Sequence, residues 1–176
     1  MILVGLGANL LHPVYGDPIN SLKAAVNELT KLGLTITHQS SWYRTAPVPV
    51  SDQPWFVNAV LAVQTHLDVS DLLSLLHSVE RQFGRVRDVR WEARVLDLDL
   101  LAYGNLISTN QDQIAGDVVP HPHMHERIFV LAPLAEICPD WEHPRLKCTA
   151  ADLLSEFEGE QGFEVVEKDN IFLKME

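Results

Sequence analysis

The chain has 176 residues, 47% of them hydrophobic and 21% charged, with a formal net charge of −11. That length and balance suit a single globular domain over residues 1–176, and the acidity disfavours non-specific nucleic-acid binding. No apolar run is long enough to span a bilayer. The N-terminal MILVGLGANL lacks a basic leader, and Cys138 and Cys148 form no CxxC pair. A cytoplasmic protein with reduced thiols is therefore expected.

In chain order, residues 2–8 alternate as a first strand ending at GAN. Leu22, Ala25, Val26, Leu29 and Leu32 recur at helical spacing, which predicts a helix over Ser21–Leu32 stopped by Gly33. LTITHQSSWYRT is β-branched and alternating and reads as a second strand, followed by the proline-rich loop APVPVSDQP. WFVNAVLAVQT reads as a third strand. Ser70 can cap a helix carrying Leu72, Leu73, Leu76, Val79 and Phe83 and ending at Gly84. RVLDLDLLAYG is the fourth strand. HMHERIFVLAPLAEIC reads as a helix broken near Pro133, followed by a short helix at Ala150–Glu158 and a weak strand at Gly162–Val166. The order predicts an α+β, ferredoxin-like β-α-β-β-α-β core with an antiparallel sheet and extra C-terminal helices.

Two features stand out chemically. RQFGRVRDVRWEAR gathers Arg81, Arg85, Arg87, Arg90 and Arg94, five of the 13 basic residues and all arginine. The planar guanidinium fork suits paired phosphate oxygens, although a charge run is more often a solvated surface. Directly after it, Asp97 and Asp99 sit two apart in an apolar strand and so point to one face, with Leu96, Leu98 and Leu100 on the other. Two carboxylates sharing a partly buried face repel each other and need a cation. The nearby arginines could supply it, or a hard divalent ion such as Mg²⁺, which keeps few protein carboxylates and fills its shell with water and phosphate oxygens. On a solvated face the same pair would make only salt bridges. Acids beside arginines are the combination phosphoryl transfer needs. GLGAN is neither GxxxxGK[ST] nor GxGxxG, so neither a P-loop nor a Rossmann site is supported.

Three long blocks, SSWYRTAPV…DQPWFVNAV, GRVRDVRWEARVLDLDLL and VPHPHMHERIFVLAPLAEICP, resemble the signatures of the 6-hydroxymethyl-7,8-dihydropterin pyrophosphokinase (HPPK) family of folate biosynthesis. The resemblance runs from GLGANL to PLAEI and implies pyrophosphate transfer from ATP to the pterin hydroxymethyl group with release of AMP. It implies that Asp97 and Asp99 hold two Mg²⁺ ions on the ATP phosphates and that Arg85 and Arg94 stabilise charge on the transferred group. It places Arg87, Arg90, His121 and Arg127 near the nucleotide and the strand backbone at Leu100 against adenine. For the pterin it implies stacking by Phe56 and Phe129, an amide contact from Asn58, ring-edge contacts from Thr45, Ala46 and Val48, and closure by Trp91. A buried amide such as Asn58 in an apolar strand needs partners in any case. Asp97 is the candidate acceptor for the hydroxyl proton. A monomer acting on two small molecules, with no nucleic acid and no membrane, is expected.

The chain departs from the family pattern at Glu92-Ala93, where Gly-Pro is usual, at Ala46, where a second proline is common, and at AGDV before VPHP. Two other readings stay open on the residues themselves. His121, His123 and His125 in HPHMH could, with the two aspartates, suggest a zinc hydrolase. A non-catalytic ferredoxin-like module could present the acidic face to a basic partner.

Overall fold

The computed structural model of the protein describes residues 1–47, 51–84, 94–108, 118–157 and 162–167. Among these residues, six strands form one sheet: β1 (Ile2–Ala8), β2 (Thr35–Gln39), β3 (Trp42–Thr45), β4 (Phe56–Gln64), β5 (Asp97–Tyr103) and β6 (Phe163–Glu167). Every pairing is antiparallel. The order is β5-β1-β4-β3-β6, with β2 also paired to β4. The helices are α1 (Pro18–Lys31), α2 (Val69–Gln82), α3 (Ile128–Ile137) and α4 (Ala150–Ser155). The split β-α-β-β-α-β core is present, followed by the two C-terminal helices.

Period-2 alternation divides the sheet into two faces. One face sends Val4, Leu6, Val57, Ala59, Leu61, Leu98 and Leu100 into a core shared with Leu22 and Leu29 of α1 and Leu72 and Leu76 of α2. Leu96, Leu98 and Leu100 are all below 5% exposure, worth about 2 kcal/mol each in burial. This fixes the register of β5, because a one-residue slip would drive both aspartates into that core. The opposite face carries Leu3, Val60, Ala62 and Leu101 toward Val130 and Leu134 of α3. It covers only part of the sheet, and Asp97 and Asp99 lie on its uncovered part.

Four boundaries differ from the sequence reading, two for reasons in the local chain and two through tertiary contacts. Helix α1 begins before Ser21 because the Asp17 carboxylate caps it, accepting the Asn20 N–H at 3.1 Å with Pro18 in the first turn. It ends as expected: Gly33 at φ 96° and Leu34 return their N–H groups to Thr30 and Leu29 at 3.1 Å, a Schellman closure. In α2 the cap is Asp68, two residues before Ser70, accepting the Asp71 N–H at 2.9 Å.

The predicted second strand is two strands, split at Ser40-Ser41. The Ser40 hydroxyl accepts the Val60 N–H at 2.9 Å and donates to the Ser41 carbonyl at 2.9 Å, replacing a rung of the ladder. Ser41 turns its N–H and hydroxyl to the Glu136 carboxylate at 3.0 and 2.7 Å, and Tyr43 donates its hydroxyl to the same group at 2.9 Å. Burial first, and then this carboxylate, pushes the Tyr43 phenol well above its usual pKa. Finally, α3 runs unbroken through Pro133. The interruption lies at Arg127, whose extended backbone separates α3 from a 3₁₀ turn at Met124–Glu126. Burial of Val130, Leu131, Ala132 and Leu134 around the proline offsets the missing N–H.

Candidate active site

The uncovered face is organised by strand register. Asp97 on β5 stands opposite Gly7 on β1, Gly7 stands opposite Asn58 on β4, and Asn58 stands opposite Tyr43 on β3. One step along, Asp99 stands opposite Gly5, and Gly5 opposite Val60. Adjacent strands lie about 4.8 Å apart, so the Asp97 and Asn58 backbones are separated by roughly 10 Å with a side-chain-free residue between them. A Cβ added to Gly7 would lie 3.0 Å from Asn58 Oδ1 and 3.9 Å from Asp97 Cβ, with nothing else within 4 Å among the described residues. The sequence GLG therefore forms a notch between two polar ends of one face.

The β5 end is acidic and guanidinium-rich. Arg94 donates from Nη1 to Asp97 Oδ2. Burial works against the Arg94 charge, but Asp97, with Asp99 and Glu80 behind it, outweighs that and raises its pKa. Asp99 is half-buried, and its carboxyl is pushed up to about 7, by burial first and by the charge of Asp97 second, with Arg94 opposing. Arg127 faces both aspartates, yet burial lowers its pKa on balance. His121 is held at the edge of the sheet by its own N–H, which donates to the Leu101 carbonyl at 2.9 Å. Its Nδ1 accepts the His123 N–H at 3.2 Å. Burial, with Arg127 and His123 adding to it, lowers its pKa to about 4, so the ring is neutral near pH 7.

The β3–β4 end is aromatic and amide-bearing. Asn58 is 5% exposed and donates from Nδ2 to Thr45 Oγ1 at 2.8 Å, which aims its Oδ1 over Gly7. Half-buried Phe56 opens β4 directly across from Thr45, and Ala46 follows Thr45 into the loop. Phe129 projects from the first turn of α3 with the Arg127 guanidinium 5.5 Å from its ring centre, a cation–π contact that joins the two ends.

Arg94, Asp97, Asp99, His121 and Arg127 are thus gathered at one end, and Thr45, Ala46, Phe56 and Asn58 at the other, with Phe129 between them. The side chain of Leu100 is not in the site: it is 4% exposed in the opposite core, and only its backbone, on the outermost described strand, can face a ligand. Arg85, Arg87, Arg90, Trp91, the Glu92-Ala93 departure and Val48 lie outside the described residues. The histidines of HPHMH diverge. His121 turns to the arginine and aspartate end, His123 to Glu126 at 3.1 Å, and His125 to the His143 ring 5.9 Å away. Among the described residues no three His, Cys, Asp or Glu side chains converge as a metal-holding group, so the zinc reading gains no support.

The donor set of Asp97 and Asp99 fits a hard divalent ion. Two carboxylates share a face, and burial and mutual repulsion disfavour ionised Asp99 until a cation arrives. Protein oxygens from two residues leave the other coordination positions to water and phosphate.

Three contributors escape the sequence reading. Gly7 leaves the notch open although GLGAN matches no phosphate-loop pattern. Glu80, 1% exposed, accepts the Leu98 N–H at 2.8 Å and so pins the outer edge of β5; its one signal is an acid on the buried stripe of α2. Asn9, 3% exposed, binds the backbone of Arg94; its signal is an amide closing an apolar strand.

A ferredoxin-like antiparallel sheet with a carboxylate–guanidinium end and an aromatic–amide end on one face suits an enzyme that joins a phosphate donor to a flat ring. Residues 3–139 match the family model of 7,8-dihydro-6-hydroxymethylpterin-pyrophosphokinase, HPPK. The chain is 38% identical over 155 residues to the 2-amino-4-hydroxy-6-hydroxymethyldihydropteridine pyrophosphokinase of Synechocystis, covering 88% of this chain and 74% of that one. It is 41% identical over 140 residues to the enzyme of the same name from Bacillus subtilis, covering 79% and 78%. Among solved structures, Plasmodium falciparum HPPK-DHPS superposes with a TM-score of 0.63 at 12% identity, over 88% of this chain and 43% of that longer one, a likeness of fold. The chain belongs to the HPPK family.

Proposed function

We propose that the protein transfers the pyrophosphoryl group of ATP to the hydroxymethyl oxygen of 6-hydroxymethyl-7,8-dihydropterin and releases AMP, a step of folate biosynthesis. The observation that carries this reading is the cross-strand row Asp97–Gly7–Asn58. In this reading the phosphate donor and the pterin acceptor take adjoining places on one face, and among the described residues no side chain stands over Gly7 between them.

In this reading the pterin lies against Phe56 and Phe129, whose faces offer stacking to a flat ring. Asn58, fixed by Thr45, meets the polar ring edge, and the backbone of Thr45, Ala46 and Val48 reads the rest. Holding the hydroxyl oxygen against the β-phosphorus converts a two-body encounter into a local one. Asp97 and Asp99 are the residues that would hold Mg²⁺, two ions in all. Bound there, Mg²⁺ would neutralise phosphate charge and acidify the attacking hydroxyl. Arg94, with Arg85, takes up the charge that develops on the transferred group, and Asp97 accepts the hydroxyl proton. Arg87, Arg90 and Arg127 neutralise the remaining phosphates. Neutral His121 contributes a polar contact without adding charge, and the β5 backbone at Leu100 meets adenine. Among the described residues no helix is long and apolar enough to cross a membrane, and Cys138 and Cys148 are both free thiols. In this reading the enzyme is a cytoplasmic, single-domain monomer acting on two small molecules, and the free thiols agree with a reducing compartment.

Mixing the protein with ATP, Mg²⁺ and the hydroxymethyl pterin tests the reading. AMP and a pterin diphosphate are expected in equal amounts. ADP in place of AMP, or no pterin-dependent nucleotide consumption, would overturn it.

A further inference from the structure

Asn9 closes β1 and is 3% exposed. A buried amide must place one carbonyl and one NH₂ group, and this one divides them between two distant segments. Its Oδ1 accepts the backbone N–H of Arg94 at 2.7 Å. Its Nδ2 donates to the Pro54 carbonyl at 3.1 Å and to Gln53 Oε1 at 3.3 Å. The Arg94 carbonyl in turn accepts the backbone N–H groups of Asn9 and Leu10 at 2.9 and 3.2 Å. Both main-chain polar groups of Arg94 are therefore bound by residues 9 and 10, and the same side chain grips the turn two residues before Phe56.

We propose that Asn9 is a positioning residue that sets the backbone of Arg94 and the Gln53-Pro54 turn leading to Phe56 through a single amide, thereby registering the phosphate-side guanidinium against the pterin wall. The proposal rests on the assignment of Arg94 to the transferred phosphoryl group and of Phe56 to the pterin. Asn9 touches neither substrate. It acts through where the Arg94 guanidinium and the Phe56 ring originate, and transfer chemistry is sensitive to misplacements on the scale of an ångström. The two halves of the amide are separable: the Oδ1 half governs turnover through Arg94, and the Nδ2 half governs pterin binding through Pro54.

Asn9→Ala, Asn9→Asp, Arg94→Ala and the Asn9→Ala/Arg94→Ala double variant test this, with AMP formation as the readout. Asn9→Ala removes the acceptor of the part-buried Arg94 N–H and should lower kcat about tenfold or more, while affinity for a non-hydrolysable Mg·ATP analogue stays within about twofold. In the Arg94→Ala background the same change should cost less than about twofold in kcat, because the group it positions is gone. A purely structural role would instead multiply the two losses, and that result, or an Asn9→Ala enzyme within about twofold of wild-type kcat, overturns the proposal. Should Asn9→Ala not fold, Asn9→Asp decides. It keeps an acceptor for Arg94 and loses the donor to Pro54, so kcat should hold within about threefold while the pterin KM rises about tenfold. Equal losses in both, or no change in either, would overturn the proposal. Arg94→Ala with wild-type turnover would instead refute the assignment of Arg94 on which it rests.

Discussion

Gly7→Ala is the sharpest perturbation of the notch. The backbone of Gly7 is not in the left-handed region, so alanine can adopt it, and alanine costs less strand entropy than glycine. The added methyl would sit 3.0 Å from Asn58 Oδ1, closer than carbon and oxygen normally approach, and 3.9 Å from Asp97 Cβ, an ordinary contact. Asn58 must therefore give by a few tenths of an ångström. Its 2.8 Å bond to Thr45 Oγ1 is the restraint it moves against. Weakening that bond and turning a buried amide out of register costs about 1–2 kcal/mol, or roughly a tenfold loss of pterin affinity. The methyl also fills the space where the hydroxymethyl group would pass, which adds to the loss in turnover. Calorimetry with the pterin alone and with a non-hydrolysable Mg·ATP analogue alone separates the effects. Pterin affinity should fall about tenfold and nucleotide affinity by less than about twofold, with the melting temperature little changed. Gly5→Ala is the control on the same strand and face: its methyl would make an ordinary contact with the Leu101 side chain at 3.4 Å, away from Asn58. Unchanged pterin affinity in Gly7→Ala, or equal losses for both ligands, would refute the notch.

Three further outcomes are expected. Phe129→Ala should weaken the pterin by about 1–2 kcal/mol and Mg·ATP by less, by the same calorimetry; a larger nucleotide loss would move Phe129 out of the stacking role. His121 titrates near 4 in the folded protein against 6.5 when unfolded. Above pH 6.5 both states are neutral, so the shift costs nothing. As pH falls from 6.5 to 4, the unfolded chain takes up a proton that the folded one refuses, and up to about 3 kcal/mol of stability is lost, less what solvent screening removes. Urea unfolding at pH 7.5 and 4.5 should show His121→Asn losing less stability across that interval than the wild type; equal losses would mean that His121 is not held neutral. In magnesium-free buffer at pH 8, Asp99→Asn removes repulsion against Asp97 and should raise the melting temperature by roughly 5 °C for about 2 kcal/mol; a lower value would show that Asp99 is already compensated by protein cations.

The parts of this protein legible in its sequence are those governed by periodicity and local chemistry. The 3.6-residue stripes of α1 and α2, the alternation in β1 and β5 and the apolar run of β4 place each element within a few residues. The L-x-L-x-L run of β5 reveals that Asp97 and Asp99 share a face, because a strand leaves no other arrangement. What tertiary contacts decide was hidden. Ser40 breaks the second strand only because the Val60 N–H lies opposite its hydroxyl, and Pro133 sits inside α3 only because the helix is packed on nearly every side. The pairing of residues 9 and 94 spans 85 positions, so the amide closing β1 signals a need for partners without saying which. Gly7 looks like a strand glycine until the register puts Asp97 and Asn58 on either side. The proposed pterin residues, from Phe56 to Phe129, are readable only through the family resemblance, since by spacing alone both rings pass for core.

The measurement that bears most directly on the two strand acids is AMP formation from ATP and the hydroxymethyl pterin by wild type, Asp97→Ala and Asp99→Ala across a magnesium titration. Turnover by the wild type should rise with magnesium. Each variant should remain folded and lose at least about two orders of magnitude in kcat at saturating magnesium, in keeping with the loss of a charge-stabilising group at the reacting centre. Variants that keep wild-type turnover and magnesium dependence would show that Asp97 and Asp99 serve only the arginines beside them.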